Sequence, residues 1–311
     1  MTKYIGRRLL AAIPTIIGVC LIVFFMMYFS PYDPAREMGR INHLNAEQIA
    51  NLRVEMGLDR PMLVQLGSWF LNLLRGDLGK SFVQRMPVTH MIKVRLWNTV
   101  ELALAGMVLA TIIGVGLGVL AAIWENSIAD TLSMILALIG SAMPDFWLAL
   151  MLIFIFSLSL GWLPTVGQGG LKYLIMPAFV VGLTEAGVIA RTVRSSLVEI
   201  MHEDYIRTAR AKGLKERMIV IRHGLRNALI PTVTIIGINM AAVLGGGVVI
   251  VETVFARDGI GRLVVESILF FDMPVVQGTV LLAALVFIFV NLAVDITYAF
   301  LDPRIRYESH R

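Results

Sequence analysis

The chain has one cysteine, Cys20, inside an apolar run near the N-terminus. That excludes a disulfide within the chain. The five histidines, His43, His90, His202, His223 and His310, are scattered through polar stretches, so no Cys/His cluster has metal-ligand spacing and no metal site is expected. Charge is scarce as well. Charged residues make up 16% of the 311, against about 25% in an average soluble domain. No Gly-x-x-x-x-Gly-Lys-Ser/Thr phosphate loop is present, so the chain is not expected to hydrolyse ATP by itself. No nucleophile–base pair suggests an intramembrane enzyme, and no convincing internal repeat is visible.

What is abundant is apolar sequence: 57% of residues are hydrophobic and the mean hydropathy is +0.78. Leu9–Phe29, Leu102–Trp124, Ala228–Val251 and Pro274–Val294 contain no charged residue. Each is near the ~20 residues that a helix needs to cross hydrocarbon. Two further runs are interrupted: Thr131–Trp162 by Pro144-Asp145, and Leu171–Ala190 by Glu185. The expected fold is therefore all-α, a polytopic bundle of six transmembrane helices surrounded by membrane lipid. Lys3, Arg7 and Arg8 precede the first run as in a signal peptide, but the run exceeds the ~7–15 residues of a signal core and no small-x-small site follows it. It reads as a retained helix.

Lys and Arg set the orientation. With six spans both termini share a side. That side holds Lys3, Arg7, Arg8, the basic cluster from Arg191 to Arg226, and Arg304, Arg306 and Arg311. Both termini are expected to be cytoplasmic. The net charge of +5 then follows from topology and calls for no nucleic acid.

Three regions result: 1–29 with the first helix, 30–98 as an external helical segment, and 99–311 as a five-helix core with a cytoplasmic loop at 194–228. In the external segment, Asn45 and Gln48 match a capping box, and Gly57 is placed to end that helix. A second helix starts at Pro61 and ends at Gly76. Such helices can cap the bundle, receive a delivered substrate, or both. Gly114-x-Gly116-x-Gly118 lies mid-helix and reads as close helix packing. Pro144 should kink its span beside Asp145. Glu185 is costly in lipid and should face the bundle interior, either in a translocation path or as a structural group. Asn239, Asn291 and Asp295 raise the same question. Gly245-Gly246-Gly247 reads as a hinge or a close crossing, and 252–273 as a short amphipathic helix between two spans.

The richest polar stretch is 203–217. Asp204 suits an N-cap; Tyr205, Thr208, Ala209 and Lys212 recur on one helical face; Gly213 can take the positive φ that stops a helix. A basic loop enforcing topology explains the charge but not this combination. The pattern suits a helix presented to a partner.

Asp204-Tyr-Ile-Arg-Thr-Ala-Arg-Ala-Lys-Gly213, continuing to Arg222-His-Gly-Leu-Arg-Asn-Ala-Leu-Ile-Pro231, resembles the coupling loop of the peptide/nickel branch of ABC-importer permeases. The resemblance runs along the chain through Ser30-Pro-Tyr-Asp-Pro34, Met56-Gly-Leu-Asp-Arg-Pro61, Gly76-Asp-Leu-Gly79, Gly161-Trp-Leu-Pro-Thr-Val-Gly167, Glu252-Thr-Val-Phe255, Gly259-Ile-Gly-Arg262 and Asp302-Pro-Arg-Ile-Arg-Tyr307. It departs at Asp258, where proline is common, and at Phe271-Asp272-Met273, where Arg-Asp-Tyr is common. The shorter dipeptide- or glutathione-type first permease subunits are most similar. The resemblance implies a heterodimer with a second, homologous permease, two cytoplasmic ATPases that bind ATP and Mg, and an external substrate-binding protein. Asp204, Tyr205, Thr208, Ala209, Lys212 and Gly213 would couple to an ATPase, and Asp145, Glu185, Asn239 and Gly245 are candidates for the path. The rival expectation is a proton-driven secondary transporter using Glu185 or Asp295.

Overall fold

Proline or glycine stands at several helix ends in this chain, whereas Pro14, Pro177 and Pro231 lie inside helices. The computed structural model describes residues 2–29, 33–41 and 43–301. The side chains of Lys3, Arg7, Arg8 and Asp295, part of the Ser30–Pro34 motif, and everything from Asp302 onward lie outside the described residues. In chain order the helices are α1 (Thr2–Tyr28), α2 (Pro34–Ile41), α3 (Ala46–Glu55), α4 (Met62–Leu74), α5 (Val88–Ile123), α6 (Ile128–Ala142) and α7 (Asp145–Leu152). There follow α8 (Lys172–Met201), α9 (Asp204–Ala211), α10 (Glu216–Met218), α11 (Arg226–Ala242), α12 (Val249–Val254), α13 (Ile260–Leu269) and α14 (Met273–Leu301). Wider π-helical turns extend α7 over Ile153–Ser159, join α10 to α11 over Ile219–Leu225, and follow α11 over Val243–Gly247. Among the described residues there is no strand, only an isolated bridge between Lys80 and Pro87. Position 98 falls within α5, which runs unbroken from Val88.

Five helical stretches are long and apolar enough to cross a membrane: Leu9–Tyr28, Val88–Ile123, Lys172–Met201, Glu216–Gly247 and Met273–Val294. The sixth is α6 with α7, bent by 101°. The expected kink at Pro144 is thus a full break. Its cause is local. A residue before proline is driven out of the α region, and Met143 sits at φ −89°, ψ 137°. Pro144 follows at φ −62°, ψ 136°. Two consecutive extended residues turn the chain.

The core is a seam between α5 and α8, which run parallel. Gly106, Ala110, Gly114 and Gly118 on α5 face Ala178, Gly182, Ala186 and Ala190 on α8, each set spaced by four. A Cβ on Gly114 would sit 2.9 Å from the Ala186 carbonyl oxygen, and one on Gly118 2.6 Å from that of Ala190. Small residues at this spacing let two backbones approach within membrane-packing distance. Gly116, expected in the same contact, has nothing within 4 Å. It lies on another face of α5. α6 runs antiparallel to α8, tied by Arg194 to Asp130 through two bonds of 2.6 Å and by Ser141 Oγ donating to the Thr184 carbonyl at 2.9 Å. α14 packs antiparallel to α11, with Gly237 against Val294 and Gly245 against Phe287.

Candidate functional site

Three places carry polar chemistry: the α9 loop, the α6–α7 break, and the bundle end opposite α9. The α9 loop is closed almost entirely by its own residues. Glu203 takes the N-cap position at φ −67°, ψ 149°. Asp204, expected there, is instead the first helical residue, and its carboxylate pairs with Arg207 at 3.1 Å. Thr208 Oγ1 donates back to the Asp204 carbonyl at 3.0 Å. Gly213 has φ +75°, as expected. Its N–H donates to Arg210 O at 2.9 Å and that of Leu214 to Ala209 O at 3.4 Å, the two bonds of a Schellman stop. Arg210 then forks onto Glu216 with a shortest bond of 2.6 Å.

The helix face expected to hold Tyr205, Thr208, Ala209 and Lys212 is split. Ala209 turns inward with Ile206, and both pack on Ile219. Their i, i+3 spacing is the only apolar stripe that α9 has, so burial claims it. Tyr205, Thr208 and Lys212 stay exposed. Tyr205 is 43% accessible, and its hydroxyl accepts from Asn227 Nδ2 at 3.0 Å.

The α6–α7 break brings two predicted residues together. Asp145 opens α7, Glu185 lies midway along α8, and their carboxyl groups are close enough for their charges to interact. Both are half-buried. No hydrogen bond or ion pair reaches either from another described residue. Close packing brackets the site: α6 and α8 touch at Ser141 and Gly187, whose missing side chain leaves room for the serine. Asn239 lies on the face of α11 that carries Ile235 and Ile236 into the core, and its Nδ2 is buried with no hydrogen-bond partner among the described residues. Gly245 stands apart against Phe287 of α14. The turning point beside it is Gly246, at φ 138°, where α11 gives way to α12.

The opposite end holds a network whose role the sequence reading missed. Glu252 is fully buried. Thr99 Oγ1 donates to its Oε1 at 2.6 Å, and the N–H groups of Gly261 and Arg262 donate to its Oε2 at 2.8 and 3.2 Å. Ile260 N–H donates to Thr99 Oγ1 at 2.8 Å. The first three N–H groups of α13 are therefore capped by side chains from α12 and α5. Gly259 and Gly261 are required because a Cβ on either would meet the Glu252 carboxylate. Burial pushes the Glu252 carboxyl above the ordinary range, against the pull of its donors. Nearby, buried Arg257 reaches Glu101 at 2.9 Å and Arg95 reaches Asp258 at 2.7 Å. Asp272 accepts from Ser81 Oγ and from Phe82 N–H. The two motifs Glu252–Phe255 and Gly259–Arg262 were the available signal; their mutual contact was not.

No group of His, Cys, Asp and Glu among the described residues is arranged to hold a metal ion. Residues 114–307 match the family described as binding-protein-dependent transport system inner membrane component, and residues 1–103 match its N-terminal component. The chain is 44% identical over 308 residues to the glutathione transport system permease protein GsiC of Salmonella typhimurium (strain LT2), covering 99% of this chain and 100% of the relative. The same figures hold for GsiC of Pectobacterium atrosepticum and of Escherichia coli (strain K12). Among solved structures it is similar to the inward-facing MetNI methionine ABC transporter, native CY5 crystal form. There the TM-score is 0.58 at 20% identity, over 69% of this chain and 97% of that one. An amino acid ABC transporter crystallised with histidines gives a TM-score of 0.50 at 13% identity, over 70% and 94%. At these identities the solved structures speak to the fold alone.

Proposed function

The chain belongs to the inner-membrane components of binding-protein-dependent transport systems, as an ABC-importer permease subunit working with ATPase and substrate-binding partners, and on that premise we propose that it carries a small peptide, of the glutathione or dipeptide class, through half of a translocation path. It is a multi-pass inner-membrane transport subunit and not an enzyme. The peptide class is supported by the name of its full-length relatives. A second, homologous permease supplies the other half of the path. Two ATPases, which carry the ATP and Mg, lie on the side of α9, with both termini. The substrate-binding protein docks at the opposite end, where the segment 33–87 lies.

One observation carries the coupling role: α9 is a short helix closed by its own bonds, with Tyr205, Thr208 and Lys212 exposed beside it. Such a helix can enter a groove on a partner without unfolding its neighbours. Ala209 supports that surface from behind, through Ile219. For the path, Glu185 and Asp145 are favoured over a bracing role because no described residue bonds to either. A free carboxylate pair at a helix break suits the amino group of a peptide. The rival proton-driven reading has no such support at Asp295, whose side chain lies outside the described residues.

The test is uptake by proteoliposomes holding the whole importer. Glutathione or dipeptide should accumulate only with internal ATP and loaded binding protein, and a proton uncoupler should change nothing. Uptake driven by a proton gradient without ATP would overturn the reading.

A further inference from the structure

We propose that α4 is an interfacial membrane helix, whose exposed apolar face is covered by the acyl chains of lipid and not by a protein. Three observations lead there. First, Met62–Leu74 contains no charged residue and none of its side chains is fully buried. Leu63, Val64, Leu71 and Leu74 are 73%, 50%, 57% and 72% accessible. That much open apolar surface on one short helix needs a cover.

Second, the helix is divided into three sectors. At about 100° per residue, Met62, Leu66, Trp69, Phe70 and Leu73 face one way and are half-buried against the protein. Leu63, Leu71, Leu74 and Val64 fill an adjoining sector of roughly 100°. Ser68, Asn72 and Arg75 occupy the remaining side and are exposed. A helix lying in a membrane surface has this pattern, an apolar side in the acyl boundary and a polar side in water. Exposed Arg60 and Arg75 flank it, one at each end.

Third, its depth is set by α1. Trp69 packs on Phe24, with ring centroids 6.0 Å apart. Phe24 is one turn before Tyr28, the last residue of the first apolar span, so Trp69 reaches about 6 Å inside the end of that span. This is within the roughly 5–10 Å to which interfacial helices sink. Helix α1 itself shows exposed apolar residues, including Ile22 and Met26. Helix α3 differs. It has its own small core with Ala35 and Met38, and it shows Glu47, Arg53 and Glu55 to water.

The inference needs only the membrane embedding of the bundle, not the peptide specificity or the direction of transport. Its test uses the assembled importer in nanodiscs, with Cys20→Ser removing the native thiol. Leu71→Cys and Asn72→Cys, adjacent in sequence but in different sectors, are each labelled with an environment-sensitive fluorophore. Lipids bearing a nitroxide just below the headgroup should remove most of the emission at position 71 and little at 72, while iodide should do the reverse. Adding loaded binding protein should leave both unchanged. Equal iodide access at 71 and 72 would overturn the proposal. Shielding at 71 that arises only with the binding protein would make this face a docking surface. Shielding from both quenchers would make it a contact between permeases. If either variant assembles poorly, Leu63→Cys and Ser68→Cys offer the same contrast.

Discussion

The two ends of the bundle are held in different ways. In the α9 loop the bonds are short in sequence: Thr208 to Asp204 four residues apart, Arg210 to Glu216 six apart, and Asn227 to Tyr205 22 apart. At the opposite end the bonded pairs are far apart in sequence: Thr99 with Glu252 by 153 residues, Glu101 with Arg257 by 156, and Ser81 with Asp272 by 191. A segment closed by near neighbours can shift as a unit, since its own bonds travel with it. A segment closed by distant partners moves only if those partners come too. The far end thus joins α5, α12, α13 and the start of α14 into one block, while α9 is a surface feature resting on Ile219 and bonded to Asn227.

The largest effect is expected where the distant ties converge. Glu252→Ala leaves three donors without an acceptor, those of Thr99 and Gly261 buried and that of Arg262 partly so, and removes most of the cap of α13. The cost should be about 3 kcal/mol. Thermal unfolding of the purified importer reads it as a clear fall in midpoint, and an unchanged midpoint would break the contrast between the ends. The seam that joins the ends comes next. Gly114→Leu forces a side chain onto the Ala186 carbonyl and should cost about 2 kcal/mol, whereas Gly116→Leu points into open space and should cost little. Equal midpoints for this pair would mean that the α5–α8 approach does not limit stability.

The same contrast marks what the sequence made legible. Signals carried by neighbouring residues can be read along the chain, at either end of the bundle. Gly57, Gly76 and Gly213 were each placed at a helix stop, and each has a positive φ and the paired bonds of a Schellman turn. The Asn45–Gln48 capping box is present in both directions, at 2.8 and 2.9 Å. Pro144 announced a disturbance, but its size depended on Met143 also becoming extended. Tertiary contacts were beyond reach. Nothing near Ala209 says that its partner is Ile219, and nothing near Glu252 says that Thr99 lies beside it. Gly116 was grouped with Gly114 and Gly118 by spacing of two, although a helix places alternate residues on different faces.

A smaller change tests the local end. Gly213→Val must either hold a β-branched residue at φ near +75° or give up the helix stop. The cost is about 1 kcal/mol, confined to the loop, so the midpoint should barely move. Coupling should suffer more than stability: ATP hydrolysis continues while uptake falls, because the exposed residues of α9 no longer meet their partner at the right angle. Normal uptake by a fully assembled Gly213→Val importer would show that the stop does not orient the coupling surface.

The smallest effect on stability is expected between the ends, at Glu185. A residue that braced the bundle would be bonded to a neighbouring helix, as Asp130 is to Arg194. Among the described residues, Glu185 has no bonded partner and feels the nearby charge of Asp145. Glu185→Gln keeps the shape and removes the charge, and it relieves the repulsion between the two carboxyl groups when both are ionised. Assembly, unfolding midpoint and basal ATP hydrolysis should therefore persist. Transport should not: a peptide with a free amino group loses its counter-charge at the break, so its uptake should fall, while a peptide with a blocked amino group is affected less. Loss of uptake for both alike would point to a change in the break itself. Loss of assembly would return Glu185 to a structural role and make the middle of the bundle resemble its tied end.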